Sequence, residues 1–131
     1  MKNIIVKVGR DRGKPKTTNI PAQHNTQSVI VAVDFDGVLS LAGYPEEGSP
    51  NRALIIEINR RKRMGDRFIL WTCREGDDLN RAVAFCSRNG LMFDAVNENL
   101  PDIQRERGDC RKVYANEYWD DKAVRIMNSD F

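Results

Sequence analysis

The chain has 131 residues, the length of one domain, and its 40% hydrophobic and 31% charged residues are typical of a globular protein. No apolar run approaches the roughly 18 residues of a membrane span, which argues against a membrane protein, and the first residues make a poor signal peptide. The three cysteines form no Cys-x-x-Cys pair, which favours free thiols in a reducing compartment, so we expect a cytoplasmic location.

The net charge of +2 is distributed unevenly along the chain. Residues 1–27 hold six basic residues and one acidic residue, a net charge of +5, whereas residues 28–131 hold 15 basic and 18 acidic residues, a net charge of −3. We predict a basic N-terminal arm or edge hairpin over 1–27 and a compact domain over 28–131. Such an arm favours an anionic partner such as nucleic acid, but it has no aromatic residue to stack on a base, so a solvated leader is the simpler interpretation.

The first element of the domain is predicted to be a strand over residues 29–33. This apolar, mostly β-branched run is typical of a strand buried on both faces of a parallel sheet. A loop over 40–50 then leads to a helix, which we expect to begin with Ser49 as N-cap and Pro50 as its first residue and to end near Met64.

The rest of the chain alternates strands and helices in the same way. We predict a strand at 67–72, a helix at 77–89, a strand at 91–96, a polar loop at 97–111, a weaker strand at 113–119 and a short helix at about 121–128. This alternation predicts an α/β fold with a doubly wound, Rossmann-like parallel sheet and right-handed crossovers.

Polar residues lie next to the predicted strands, mostly where those strands end. They are Asp34, Asp36, Thr72, Lys112, Asp120 and Asp121. In a parallel sheet the carboxyl ends of the strands share one edge, so we expect these side chains to meet there. Several carboxylates in one place repel one another, and a divalent cation relieves that repulsion. Oxygen ligands beside a phosphate substrate suit Mg²⁺.

The same residue types suit phosphoryl transfer. An ionised aspartate can attack phosphorus and form an aspartyl-phosphate. A second aspartate two residues later can protonate the leaving oxygen and afterwards activate water. Lysine and threonine can bind the phosphoryl oxygens through the transition state. The set therefore predicts a phosphatase site.

Taken in order, these residues resemble the four motifs of the haloacid dehalogenase (HAD) superfamily of phosphohydrolases. The matching segments are Asp34-Phe35-Asp36-Gly37-Val38, Thr72 at the end of Ile-Leu-Trp-Thr, Lys112, and Asp120-Asp121. Val38 stands where the family often has threonine. The second aspartate favours phosphate chemistry over dehalogenation, because only a leaving alkoxide needs a proton.

The resemblance implies a role for each residue. Asp34 would be the nucleophile and a Mg²⁺ ligand, and Asp36 the general acid and base, with its backbone carbonyl on the metal. Thr72 and Lys112 would bind the phosphoryl group. Asp120-Asp121 would complete the metal site, and which of the two is the direct ligand stays open.

The resemblance is to the small capless members of the superfamily found in bacteria and phages, because the connecting segments leave no room for a cap domain. A capless site must admit a large substrate or borrow a lid from another subunit, which leaves a homo-oligomer open. We expect Arg74 to bind substrate, with Glu75 and the 97–109 loop at the mouth of the site.

Three functions follow from these patterns. The first is a Mg²⁺-dependent phosphomonoester hydrolase acting on a phosphorylated small molecule. The second is a polynucleotide phosphatase that holds a phosphorylated nucleic-acid end with the basic arm, and the third is a non-catalytic phosphate-binding module on the same fold. Each motif alone has a plain structural explanation, such as a turn at Asp34–Gly37, but the ordered set favours the hydrolase.

Overall fold

The computed structural model describes residues 28–130, in which four strands alternate with three helices. In chain order these are β1 (Ile30–Val33), α1 (Arg52–Arg63), β2 (Arg67–Leu70), α2 (Gly76–Arg88), β3 (Ala95–Val96), α3 (Pro101–Arg107) and β4 (Glu117–Trp119), before a 3₁₀ turn at Asn128–Asp130. The predicted arm or hairpin over 1–27 lies outside the described residues. None of the helices in 28–130 is long and apolar enough to cross a membrane.

The strands form one parallel sheet in the order β3-β2-β1-β4. The chain moves outward from β1 to β2 and β3, and then returns across the sheet to place β4 on the other side of β1. This confirms the predicted α/β, doubly wound arrangement. The direction of winding reverses between β1 and β4, and in such sheets ligands bind outside the carboxyl ends of the strands at that reversal.

The core lies on both faces of the sheet because successive strand residues point to opposite sides. Val31 and Val33 pack with residues of α1 and α2, whereas Ile30 and Ala32 pack with Ile103 of α3. All four residues of β1 are buried, as the apolar run predicted. Packing on both faces of the sheet therefore fixes the position of β1 and of the residues that directly follow it.

Helix α1 begins later than predicted. Its N-cap is Asn51, whose side-chain oxygen accepts a hydrogen bond from the backbone N–H of Leu54 at 3.3 Å, so the prediction that Ser49 caps the helix and Pro50 opens it was wrong. The Asn51 amide also donates to the carbonyl of Val38 at 2.9 Å. Asn51 therefore joins the start of the helix to the loop that follows β1.

The predictions for the last third of the chain were partly wrong. Residues 97–111 were expected to be a loop, but they contain α3, with Pro101 at its start and Ile103 in the core. The expected helix over 121–128 does not form. Val124 and Ile126 there are 78% and 61% exposed, so a short helix would gain no buried face to stabilise it. The third and fourth strands are also shorter than predicted.

Candidate active site

Three carboxylates meet where the winding of the sheet reverses. Asp34 follows β1, and Asp120 and Asp121 follow β4. The backbone N–H of Asp34 donates to the carbonyl of Trp119 at 3.0 Å, which holds the two strand ends side by side. Carboxylate oxygens of the three aspartates lie within 4.8 Å of one another. The structure thus brings together three of the residues that the sequence placed at the strand ends, and we refer to these three as the acid cluster.

Asp34 is the most perturbed member of the acid cluster. Burial, together with the charges of Asp120, Asp121 and Asp36, raises the pKa of Asp34 from its ordinary value of 3.8 to about 7. The backbone N–H of Phe35 donates to Asp34 Oδ1 at 2.8 Å and opposes that rise. Near neutral pH the acid cluster therefore holds a carboxyl group that readily gains or loses a proton. A cation bound beside it would favour the ionised form.

Asp36 lies outside the acid cluster and forms an ion pair instead. Its carboxylate accepts hydrogen bonds from Arg74 Nη2 at 2.7 Å and from Arg74 Nε at 3.0 Å, a bidentate arrangement. The Arg74 guanidinium lies over the rings of Phe35, at 4.8 Å, and Tyr44, at 5.1 Å. Only 1% of the Arg74 side chain is exposed, so this pair fixes the direction in which Asp36 points.

Arg74 was predicted to bind substrate, but its guanidinium is occupied within the protein. Besides the contacts to Asp36, it donates to the backbone carbonyls of Glu46, at 3.0 Å, and Asp78, at 3.3 Å. The hydrogen bond to Asp36 raises the pKa of Arg74, so the group stays charged. Arg74 is therefore placed to position Asp36, and its contact with a substrate stays a prediction. Nothing in the sequence indicates this pairing.

Thr72 belongs to a small network at the end of β2. Its hydroxyl accepts a hydrogen bond from the backbone N–H of Arg74 at 3.2 Å. The side chain of Asn97 accepts from the Thr72 N–H at 2.8 Å and donates to the Arg74 carbonyl at 3.3 Å. The sequence predicted Asn97 only as part of the 97–109 loop at the mouth of the site. Because it directly follows β3, the same strand-end rule could have identified it as part of the site.

Lys112 lies near an aromatic ring rather than in an ion pair. Its ammonium is 5.3 Å from the centre of the Tyr118 ring, and it forms no salt bridge with any residue of the described segment. Asn99, expected at the mouth, is instead buried; its side chain bonds to the backbone of Gly108 and Tyr114. The structure therefore gives Asn99 a structural role and does not join Lys112 to the acid cluster.

A cavity of about 460 Å³ opens beside Asp36. It is lined by Asp36, Tyr44, Cys73, Arg74, Glu75 and Asp78. These residues come from the loop after β1, the segment after β2 and the first turn of α2, so the cavity adjoins the carboxyl edge of the sheet. Its volume is in the range of small-molecule sites, roughly 300–1,000 Å³.

The chain is similar to a solved structure of a conserved protein coded by a locus from Bacteroides thetaiotaomicron. The two are 33% identical, with a TM-score of 0.67, and the match covers 74% of this chain and 78% of the Bacteroides chain. This chain belongs to the same family as that conserved protein. No protein-family model and no curated protein matches the chain. The family relationship supports the fold and carries no activity with it.

Gly37 lies so close to the acid cluster that we expect Gly37→Ala to disturb it. The backbone of Gly37 has a φ of +80°, and a Cβ atom there would lie 2.5 Å from Asp121 Oδ2. Alanine should therefore displace the Asp121 carboxylate and cost about 1–2 kcal/mol of stability; if the acid cluster binds Mg²⁺, as proposed below, alanine should also weaken that binding roughly tenfold.

Calorimetric titration with Mg²⁺ and thermal unfolding would measure the two effects of Gly37→Ala. Gly90→Ala is the matched control, because Gly90 has a similar φ of +83° but nothing lies within 4 Å of a Cβ atom at that position. An unchanged Mg²⁺ affinity in Gly37→Ala would show that the position of Asp121 does not matter for the cation.

Proposed function

We propose that the protein is a Mg²⁺-dependent phosphomonoester hydrolase that acts through an aspartyl-phosphate intermediate. The observation that carries this proposal is the convergence of the Asp34, Asp120 and Asp121 carboxylates within 4.8 Å at the ligand-binding edge of the sheet. The ordered motifs that resemble the HAD superfamily supply the assignment of roles.

The donor set of the acid cluster fits the proposed metal. All three side chains offer carboxylate oxygens, the ligand type that Mg²⁺ prefers, and no histidine or cysteine belongs to the cluster. Asp34, Asp120 and Asp121 would hold the ion, with the Asp36 carbonyl as the further ligand that the resemblance implies. When bound, Mg²⁺ would offset the negative charge of the carboxylates and of the phosphate ester.

Asp34 is the proposed nucleophile. An ionised carboxylate oxygen of Asp34 attacks phosphorus, and the bond from phosphorus to the alcohol oxygen breaks. The fully buried β1 holds Asp34 in a fixed position, which would favour attack on a phosphate bound beside it. Partial burial also limits the water around the carboxylate, which strengthens its electrostatic interactions.

Asp36 is the proposed general acid and base. When protonated, it gives its proton to the departing alcohol oxygen; as a carboxylate, it takes a proton from the water that hydrolyses the aspartyl-phosphate. The Asp36 carboxylate is paired with Arg74, an arrangement that suits the second step, in which Asp36 takes up a proton. Thr72 and Lys112 are proposed to bind the phosphoryl oxygens, a role that rests on the resemblance to the superfamily.

Removing the metal tests the proposal directly. We expect the full-length protein to hydrolyse p-nitrophenyl phosphate in the presence of Mg²⁺ and to lose activity about a hundredfold or more with EDTA, because repulsion within the acid cluster would then be uncompensated. Adding excess Mg²⁺ should restore the rate. A rate that does not depend on the metal would contradict the proposed site.

Two alternatives to the phosphomonoester hydrolase of a small molecule can be distinguished by experiment. A polynucleotide phosphatase is favoured by the +5 charge of residues 1–27, which lie outside the described structure. Salt-dependent binding of single-stranded DNA that is lost on deleting 1–27 would support it. A non-catalytic module would bind phosphate without turnover, so the hydrolysis assay separates it from both phosphatases.

A further inference from the structure

The cavity beside Asp36 has a position that matters for substrate choice. If Asp36 protonates the leaving oxygen, as in the proposed function on which this inference rests, the alcohol part of the substrate must lie next to Asp36. The cavity of about 460 Å³ opens there, and Asp36 forms part of its wall. Its lining therefore determines which alcohols fit.

The charges that line the cavity are mainly negative. Three carboxylates, of Asp36, Glu75 and Asp78, face one guanidinium, that of Arg74. Arg74 is already paired with Asp36. Asp78 accepts a hydrogen bond from Tyr44 at 2.7 Å and is paired with Arg81 from outside the cavity.

Among the described residues, Glu75 is the one carboxylate of the cavity lining that has no cationic partner. Its carboxylate forms no salt bridge within residues 28–130, and it makes no capping hydrogen bond at the start of α2. Glu75 is also exposed, so its carboxylate is open to a ligand. A second phosphate on the substrate would meet this carboxylate and be repelled, whereas a hydroxyl group could donate to it.

Tyr44 adds an aromatic surface to the same cavity. One face of its ring is near the Arg74 guanidinium, and 60% of the residue is exposed. An aromatic surface beside carboxylate acceptors suits a ring that carries hydroxyl groups, with apolar C–H groups against the aromatic ring and O–H groups toward the carboxylates.

We propose that this cavity binds the uncharged, hydroxyl-rich alcohol of a sugar or polyol monophosphate, and that Glu75 excludes leaving groups that carry a further phosphate. The hydrolysed bond is the phosphomonoester bond of the proposed function, so the products are the free sugar or polyol and inorganic phosphate. The same negative lining disfavours a nucleic-acid end, whose neighbouring phosphodiester would enter the cavity.

The test compares kcat/KM for matched substrates with the full-length protein and Mg²⁺. The substrates are a hexose monophosphate, the corresponding hexose bisphosphate, phosphoethanolamine and an oligonucleotide phosphorylated at its end, with p-nitrophenyl phosphate as the reference. We expect the hexose monophosphate to exceed the bisphosphate at least roughly tenfold, and Glu75→Lys to reduce that ratio by about tenfold. The control is Glu106→Lys, the same charge change on α3. The 97–109 segment was expected at the mouth of the site, but no residue of it lines this cavity, so Glu106→Lys should leave the ratio and the reference rate unchanged.

The outcomes separate this inference from the proposed function. A preference for the bisphosphate, the oligonucleotide or phosphoethanolamine, or a ratio unchanged in Glu75→Lys, would overturn the cavity assignment while hydrolysis of p-nitrophenyl phosphate stays intact. Absence of turnover with every substrate, or turnover that persists in Asp34→Asn, would overturn the proposed function and this inference with it.

Discussion

Replacing Asp34 with asparagine is expected to lower the turnover of p-nitrophenyl phosphate at least about a thousandfold, because the variant lacks the attacking carboxylate oxygen. The same change should stabilise the metal-free protein above pH 7. Asparagine keeps the shape of the side chain and an oxygen that can accept the hydrogen bond from Phe35 N–H. Asp34→Asn should therefore lower the turnover and raise the free energy of unfolding of the metal-free protein.

The stability effect of Asp34 follows from its raised pKa. In the folded protein the pKa is about 7, against 3.8 for the ordinary group. Between these values the folded state binds more protons than the unfolded state, so the free energy of unfolding falls as the pH rises from about 4 to about 7. Above pH 7 the loss is complete and amounts to roughly 1–3 kcal/mol for a partly buried group. Asp34→Asn should not show this loss.

Urea unfolding in EDTA at several pH values, combined with activity assays, would measure both effects of Asp34→Asn. The stability of the variant relative to wild type should increase from pH 4 to pH 7 and then level off. Glu106→Gln, which removes one exposed carboxylate from α3, should show neither the activity loss nor this pH dependence. Undiminished turnover in Asp34→Asn would rule out Asp34 as nucleophile, and a pH-independent stability difference would contradict its raised pKa.

Replacing Arg61 with methionine is expected to destabilise the protein by about 3–5 kcal/mol, because it leaves the buried carboxylate of Asp66 without this guanidinium. Arg61 Nε donates to Asp66 Oδ2 at 2.9 Å, and Arg61 Nη1 lies 3.3 Å from Glu117 Oε1. The guanidinium also lies over the rings of Phe68 and Trp119. These contacts join the end of α1 to the amino ends of β2 and β4.

A double-mutant cycle would separate the charge effect from lost packing at Arg61. In Arg61→Met/Asp66→Asn the buried charge that lost the Arg61 guanidinium is gone, and the asparagine oxygen can still accept the hydrogen bond that Val29 N–H gives to Asp66. The double variant should therefore be more stable than Arg61→Met alone. The matched control is Arg60→Met. Arg60 and its partner Glu57 are both exposed, so this change should cost less than about 1 kcal/mol. Equal costs for the two arginines would contradict the interpretation.

The elements predicted correctly are those whose patterns are local. The apolar run of β1 and the helical periodicity of α2 are visible within a dozen residues, and both elements are where they were expected. Helix α3 was missed because only Ile103 of its seven residues is buried, which leaves almost no periodicity to detect. The prediction of a C-terminal helix was wrong for the opposite reason. Its apolar residues suggest a buried face, but they are exposed in the structure, so no buried face forms.

The sequence by itself determined that Asp34 and Asp120-Asp121 would meet, because the carboxyl ends of parallel strands share an edge whatever the details of packing. Only the tertiary structure decided the direction of Asp36 and the use of Arg74. These residues are 38 positions apart, and their pairing depends on how the segment after β2 folds against the loop after β1. Strand-end positions follow from local hydrophobic pattern and topology, whereas an ion pair between two loops follows from the packing that buries both partners.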